Sequence, residues 1–301
     1  NQTTYSECFH VTNNYYKSME TEIIAEIGQA HDGSLGIAHS LIDALAETGI
    51  DVIKFQTHIA EAESSTKETF RVNFSYEDKT RYDYWKRMEF SIEQWMEIKS
   101  HCDEKGIEFM SSPFSIKAVE LLEKVGVGRY KIGSGEVSNL LLLDRIAQTG
   151  KPVILSSGLS NWDELDNAVH VYKDRGIGVS ILQCATAYPS LPPVWGLNVI
   201  EDLKERYGIP VGFSDHSGNI YACLAAAALG AEILEFHSVF DKRMFGPDSP
   251  SSLTIEQIKI LVEGVRQIET AKLNQVHKAI SKEQTHLKIM FGKSLAVNKD
   301  L

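Results

Sequence analysis

Short apolar runs recur along this chain, and nearly every one ends in side chains able to do chemistry. Ile23-Ile24-Ala25 ends in Glu26, Val52-Ile53 in Lys54-Phe55-Gln56, and Phe109-Met110 in Ser111-Ser112. Tyr130 leads into Lys131, Ser134 and Glu136, Val153-Ile154-Leu155 into Ser156, and Ile181-Leu182 towards Thr186 and Tyr188. Val211-Gly212-Phe213 ends in Ser214-Asp215-His216, and Ile233-Leu234 in Glu235 and His237. A lysine buried at a strand end needs a partner or a shifted pKa. Lys54 and Lys131 could each pair with Glu26 or Glu136, clamp a phosphate or carboxylate, or form a Schiff base. The hydroxyls of Ser111, Ser134, Ser156 and Ser214 favour the clamp. Hydroxyls and Gly-flanked backbone N–H groups suit phosphate oxygens, and imine chemistry does not need them.

His216 and His237 end consecutive apolar runs. If those runs are neighbouring strands, both imidazoles could bind one Zn, Mn, Fe or Co ion and leave positions open to polarise a carbonyl. The alternative is a pair of hydrogen-bonded structural histidines. Glu235, two residues before His237, faces the same way and could be a ligand or an outer-shell orienter. Glu26, Glu136 and Asp248 could hold sugar hydroxyls or move protons. Glu26 and Glu136 sit between apolar or glycine residues, which favours a functional role over a solvated one.

Elements that carry all their chemistry at the carboxyl ends of apolar strands are those of a (β/α)8 barrel. The 301 residues suffice for one such barrel plus extensions. Helical spacing relates Ala38, Leu41, Ile42 and Leu45, and again Ile92, Trp95, Met96 and Lys99, the latter opened by a Ser91/Gln94 capping box. Ser160 is expected to cap a helix with acidic residues in its first turn. Further helices fit 115–125, 138–149, 194–206, 217–229 and 254–271. Glycines such as Gly126 and Gly208 fall where helices should close. The polar run 57–90 is too long for a plain connection and reads as a functional loop. The expected organisation is an extension or hairpin over 1–20, the barrel over 21–280, and a linker over 281–301.

Formal net charge is −11, which argues against a nucleic-acid partner but leaves room for a local cationic cleft. Cys8, Cys102, Cys184 and Cys223 form no metal-type or redox-type pair and read as reduced thiols of a cytoplasmic protein. No apolar run approaches a membrane span, and no signal peptide is visible.

Taken together, these segments resemble the sialic acid synthase family, which condenses phosphoenolpyruvate with an N-acetylated hexose. The resemblance rests on Ile24-Ala25-Glu26-Ile27-Gly28 with His31 and Gly33, Lys54-Phe55-Gln56-Thr57, Ser112-Pro113-Phe114 and Lys131-Ile132-Gly133-Ser134-Gly135-Glu136. It continues through Ser156-Ser157-Gly158, Ser214-Asp215-His216 and Gly246-Pro247-Asp248, all in the family's order. It implies that Lys54, Lys131, Ser134, Ser156 and Ser214 hold phosphoenolpyruvate. His216 and His237 would bind a divalent metal, Mn or Mg. Glu26, Gln56, Tyr188 and Asp248 would face the sugar, and Glu136 would handle a proton or position water. Two positions depart from the pattern: Ala30 replaces an asparagine before His31, and Thr186 stands where relatives often carry asparagine. The resemblance further implies a homodimer, and Met290–Val297 looks like a linker towards a small antifreeze-like domain. A relative acting on a phosphorylated sugar, as octulosonate- or heptulosonate-phosphate synthases do, would need a second cationic cluster, for which Arg81, Lys86 and Arg87 are candidates. A barrel that binds sugar phosphates without turnover is the alternative outside enzymology.

Overall fold

The computed structural model describes residues 20–70, 74–274 and 276–293. Eight parallel strands run in sequence order: β1 (Glu22–Gly28), β2 (Val52–Thr57), β3 (Glu108–Pro113), β4 (Tyr130–Ile132), β5 (Val153–Ser156), β6 (Val179–Cys184), β7 (Val211–Asp215) and β8 (Ile233–Val239). Pairing of β1 with β8 closes them into a barrel, and a short β9 (Leu253–Thr254) adds to the end of β8. Outer helices follow the strands in turn: α1 (Leu35–Ala46) after β1, then α4 (Ile92–Glu104), α5 (Ile116–Val125), α6 (Leu140–Ala147), α7 (Trp162–Lys173), α8 (Val199–Tyr207), α9 (Tyr221–Ala228) and α10 (Ile255–Leu273). This is the expected (β/α)8 barrel.

The period of two along each strand builds its layers. Ile24, Val52, Met110, Ile154, Leu182 and Ile233 point inward and make an apolar floor. Two residues further on, the same inward rows reach Glu26, Lys54, Ser112, Ser156, Cys184 and Glu235, all of which line one cavity. Intervening residues such as Ile23, Ala25, Ile53 and Phe55 face outward and pack in the helix layer. On β7 the inward floor position is Gly212. A Cβ there would lie 2.2 Å from the Ile233 carbonyl oxygen and 2.6 Å from Leu182 Cδ2, so the floor closes only over a glycine.

Local signals set most helix ends. Ser91 and Gln94 form the predicted capping box, and Gly126 and Gly208 close α5 and α8 in the left-handed region. Other boundaries shift. The cap of α7 is Asn161, in a capping box with Glu164, so Ser160 lies one residue outside it. The helix expected from 217 begins at Tyr221, because Ser217 turns back to donate to Asp215 and Asn219 accepts from the Tyr221 N–H. The excursion over 57–90 contains two helices, α2 (Ala60–Glu63) and α3 (Arg81–Met88), the second opened by a Thr80/Asp83 capping box.

The chain divides into two compact units, Asn1–Glu269 and Thr270–Leu301. In the second, α11 (Lys282–Phe291) starts at a Ser281/Gln284 capping box and buries none of its residues. Except for Glu20, the extension expected over 1–20 lies outside the described residues, as does 294–301 of the expected linker. Among the described residues no helix is long and apolar enough to cross a membrane, and Cys102, Cys184 and Cys223 are free and buried.

Candidate active site

The carboxyl ends of the strands surround a cavity of about 1000 Å³, enough for two small substrates together. At its base four charged groups alternate in sign. Lys54 Nζ lies 2.7 Å from Glu26 Oε1 and 3.5 Å from Glu235 Oε2. Lys131 Nζ lies 3.1 Å from Glu235 Oε1 and donates to Ser156 Oγ at 2.7 Å. Ser214 Oγ donates to the same Glu235 oxygen at 3.0 Å. Barrel register brings them together: Glu26 pairs across to Lys54 on one side and His237 on the other, and Ser214 to Glu235. All four charged groups are buried.

Burial opposes ionisation of Glu26, but Lys54, His237 and Lys131 outweigh it and hold the carboxyl far below the usual range. Burial likewise opposes Glu235, where Lys131 and Lys54 prevail and keep its pKa lowered. Burial works against the Lys54 ammonium, yet Glu235 and Glu26 raise it. Lys131 differs: burial pushes it down despite Glu235, and the Lys54 charge adds to the depression. A base holding two ammonium groups, one of them under-compensated, is set to receive an anion.

On the β6–β8 side the two histidines converge, their ring centroids 5.4 Å apart. His216 Nδ1 faces the Ala185 carbonyl at 3.2 Å and therefore carries the proton, which leaves the Nε2 lone pair towards the Tyr188 hydroxyl at 3.0 Å. Burial, reinforced by His237, lowers the His216 pKa to about 3, so this ring is neutral. His237 Nε2 lies 3.3 Å from Glu26 Oε2. The two imidazoles are the side chains through which a divalent cation could be held. Among the described residues no group of three or more His, Cys, Asp or Glu side chains is arranged to hold a metal.

Beyond this base, Gln56 Nε2 donates to Glu26 Oε1 at 2.8 Å. Ser134 Oγ accepts from the Gly158 N–H at 3.2 Å, and Thr186 Oγ1 donates to the Gly158 carbonyl at 3.3 Å, tying the loops after β4, β5 and β6 together. Glu136, on a 3-10 turn over Ser134–Glu136, lines the cavity rim and accepts from Asn139 at 2.8 Å. Asp248 sits behind the main cavity, in a small recess shared with Gln29 and His237; burial raises its carboxyl pKa.

The structure therefore gathers Glu26, Lys54, Gln56, Lys131, Ser134, Glu136, Ser156, Thr186, Tyr188, Ser214, His216 and His237 around one cavity, with Asp248 adjoining. Ser111 is not among them. Its hydroxyl points into the helix layer, donating to the Phe55 carbonyl at 3.1 Å and sharing a hydrogen with Thr57 at 2.7 Å. Ser112 faces the cavity instead, 3.5 Å from Lys54 Nζ. Counting by two from the inward Met110 would have selected it. Glu235 was visible as a neighbour of His237, yet its observed role is counterion to both lysines. The partner of Lys131 is thus Glu235, not Glu136. His58, Arg81, Trp85 and Phe114 complete one wall, and of these His58 and Trp85 carried no signal in the sequence.

The NeuB family profile matches residues 41–277. The chain belongs to the NeuB family. Over 94% of its length it is 35% identical to the N,N'-diacetyllegionaminic acid synthase of Campylobacter jejuni, covering 86% of that protein. It is 36% identical to the N-acetylneuraminate-9-phosphate synthase of Mus musculus, over 83% of this chain and 70% of the mouse protein. Among solved structures, the N-acetylneuraminic acid (sialic acid) synthetase of Leptospira borgpetersenii, in complex with citrate, superposes with a TM-score of 0.78. That alignment is 29% identical and covers 91% of this chain and 92% of the other. These NeuB relatives are named as synthases of sialic-acid-type sugars, and the barrel described above is their fold.

Proposed function

We propose that this NeuB-family barrel condenses phosphoenolpyruvate with the open-chain aldehyde of an N-acylated hexose, giving a nine-carbon 2-keto acid and phosphate. The observation that carries this reading is the pair of buried lysines at the base of the cavity. Lys54, Lys131 and Ser214 all reach Glu235 within 3.0–3.5 Å and Lys131 also reaches Ser156 at 2.7 Å, so these two ammonium groups and two hydroxyls can take the carboxylate and phosphate of one small dianion. Ser134, above them, adds a further hydroxyl. An incoming dianion would raise the Lys131 pKa that burial lowers and so favour its ammonium form.

The acceptor sugar then lies on the opposite side, against Glu26, Gln56, Thr186 and Tyr188, with Asp248 behind. His216 and His237 would hold a divalent cation, Mn or Mg, which when bound supplies Lewis-acid polarisation of the aldehyde oxygen. The methylene carbon of phosphoenolpyruvate attacks the aldehyde carbon, forming the new C–C bond as the C=O π bond opens, and the resulting alkoxide becomes a hydroxyl by taking up the one proton that the added water gives up. Water adds at the second carbon, with Glu136 placed to take its proton. Loss of phosphate from the resulting tetrahedral carbon leaves the 2-keto group. Lys54 and Lys131 stabilise negative charge throughout without having to reorganise.

An unphosphorylated acceptor fits better than a sugar phosphate. Arg87 is engaged by Asp78 at 2.8 Å and by Asp32, and Lys86 by Glu89 at 3.0 Å, so neither is placed as a free clamp. Arg81 reaches the cavity wall but carries Glu68 at 2.8 Å.

The deciding test is phosphate release from phosphoenolpyruvate with a panel of aldoses, with Mn and with chelator, on the wild type and on His216→Ala. Cation-dependent release with an N-acylated hexose, lost in the variant, is the expected result. Tight phosphoenolpyruvate binding with no release for any aldose would overturn it in favour of a binding protein.

A further inference from the structure

The cavity wall built by the excursion after β2 contains four stacked planar groups. The Arg81 guanidinium carbon lies 5.5 Å from the centroid of the Trp85 ring. Trp85 stacks on His58 with centroids 3.7 Å apart and planes 9° apart, and His58 stacks on Phe114 at 4.3 Å and 13°. Arg81 and Trp85 are four residues apart on α3 and so share a face. His58 directly follows β2 and Phe114 directly follows β3, so three separate segments meet in one column. All four groups line the cavity, and His58 is buried.

The edges of the His58 ring are also occupied. Nδ1 lies 2.8 Å from Glu63 Oε1 on α2, and Nε2 lies 3.2 Å from Gln56 Oε1. Gln56 Oε1 further accepts from Gln29 Nε2 at 3.1 Å. Because Glu63 takes the Nδ1 hydrogen, Nε2 donates to Gln56 Oε1 in the ring that carries both hydrogens; with Gln29 Nε2 as the second donor, the Gln56 amide then has one orientation that satisfies every bond, and its Nε2 donates to Glu26 Oε1. The flipped amide would set its oxygen against the Glu26 carboxylate and its NH2 against the donors.

We infer that His58 is a positioning residue for the acceptor sugar. It fixes the Gln56 amide in the orientation that donates to Glu26, and Glu63 on α2 and Trp85 on α3 tie His58 to both helices of the excursion. A change in α2 or α3 is thereby transmitted through Gln56 to the Glu26 carboxylate on the acceptor side, one contact short of Lys54. This inference rests on the proposal that Glu26 and Gln56 face the acceptor.

His58→Phe keeps the stack and removes the Nε2 donor, and Glu63→Gln is the milder second variant. In His58→Phe the KM for the acceptor sugar should rise about tenfold, as the loss of one buried hydrogen bond implies. The KM for phosphoenolpyruvate should stay within about twofold, since Lys54 and Lys131 both keep their carboxylate partners. Glu63→Gln should shift the same parameter by less. Independently of turnover, the side-chain amide signals of Gln56 in ¹⁵N-labelled protein should move towards those of an exposed glutamine in His58→Phe. Unchanged Gln56 signals would overturn the inference whatever the kinetics. So would equal rises in both KM values, or a lowered Tm with both KM values unchanged. If the wild type turns over no acceptor, the proposed reaction falls, while the Gln56 signals still decide the role of His58.

Discussion

Both ends of the barrel carry basic groups bridging two acids, but in different surroundings. At the amino-terminal end Arg129 reaches Glu22, the first residue of β1, at 2.5 Å and Glu108, the first residue of β3, at 2.8 Å. These groups are partly exposed, and the guanidinium engages each carboxylate through two nitrogens. At the carboxyl end Lys54 and Lys131 divide Glu235 between them with almost no exposure. Paired charges near water cost little to keep and join strands whose termini would otherwise splay. Buried pairs cost more to desolvate than their mutual attraction commonly returns. A fold that needed only stability would fill the upper layer with apolar side chains, as it does one layer below with Ile24, Val52 and Met110. The buried quartet is therefore evidence of function, and the Arg129 bridge of structure.

The sharpest way to break this comparison is Lys54→Met. Turnover should fall about 10²–10³-fold through loss of preorganised charge at the base. Because Glu26 and Glu235 would then share a single buried cation, urea unfolding should also show a loss of about 3–5 kcal/mol. Unchanged kcat/KM would reduce the quartet to a structural device.

A second test concerns pH. His31 is fully buried, with Nδ1 accepting from the Gly33 N–H at 3.1 Å, and burial, then His58 and Arg87, lower its pKa to about 3. Its usual pKa is near 6.5. The folded ring is neutral while the unfolded chain takes up a proton below that value. Stability is thus fully present above about pH 6.5 and falls as pH drops towards 3, by up to about 1.4 kcal/mol per pH unit. His31→Asn, which retains an acceptor for Gly33, should flatten that slope in chemical unfolding measured between pH 4 and 7. An identical slope in the variant would place the acid sensitivity elsewhere.

The smallest effect belongs to the other end of the barrel. Arg129→Ala should cost about 1–2 kcal/mol of stability. Its kcat/KM should stay within about twofold, because the bridge lies a full strand length from the cavity. A large kinetic effect would mean that the two ends are coupled through the strands.

Much of this was legible beforehand. Each inward row could be followed from its apolar floor residue to its polar successor, which placed Glu26, Lys54, Ser156 and His237 at one end of one barrel. Where the phase of the pleat was misjudged by one residue, the assignment failed: Ser111 faces the helices and Ser112 the cavity. Asn161 instead of Ser160 caps α7 for a similar reason, since both residue types cap well and only the path of the chain chooses between them.

The sequence by itself determined the alternation of strands and helices, the apolar floor, most of the caps and the residues able to bind an anion. These depend on preferences that act over a few residues: the period of two in strands, the period of 3.6 in helices, and the side chains that satisfy free backbone groups at helix ends. Tertiary structure alone decided that Glu235 serves two lysines from β2 and β4, that Lys131 rather than Lys54 is the depressed base, and that His58 is clamped between Trp85 and Phe114. Each of these depends on strands or loops far apart in the chain meeting only when β1 pairs with β8 and the barrel closes. Desolvation and pairing strength depend on that meeting, and no local pattern encodes it.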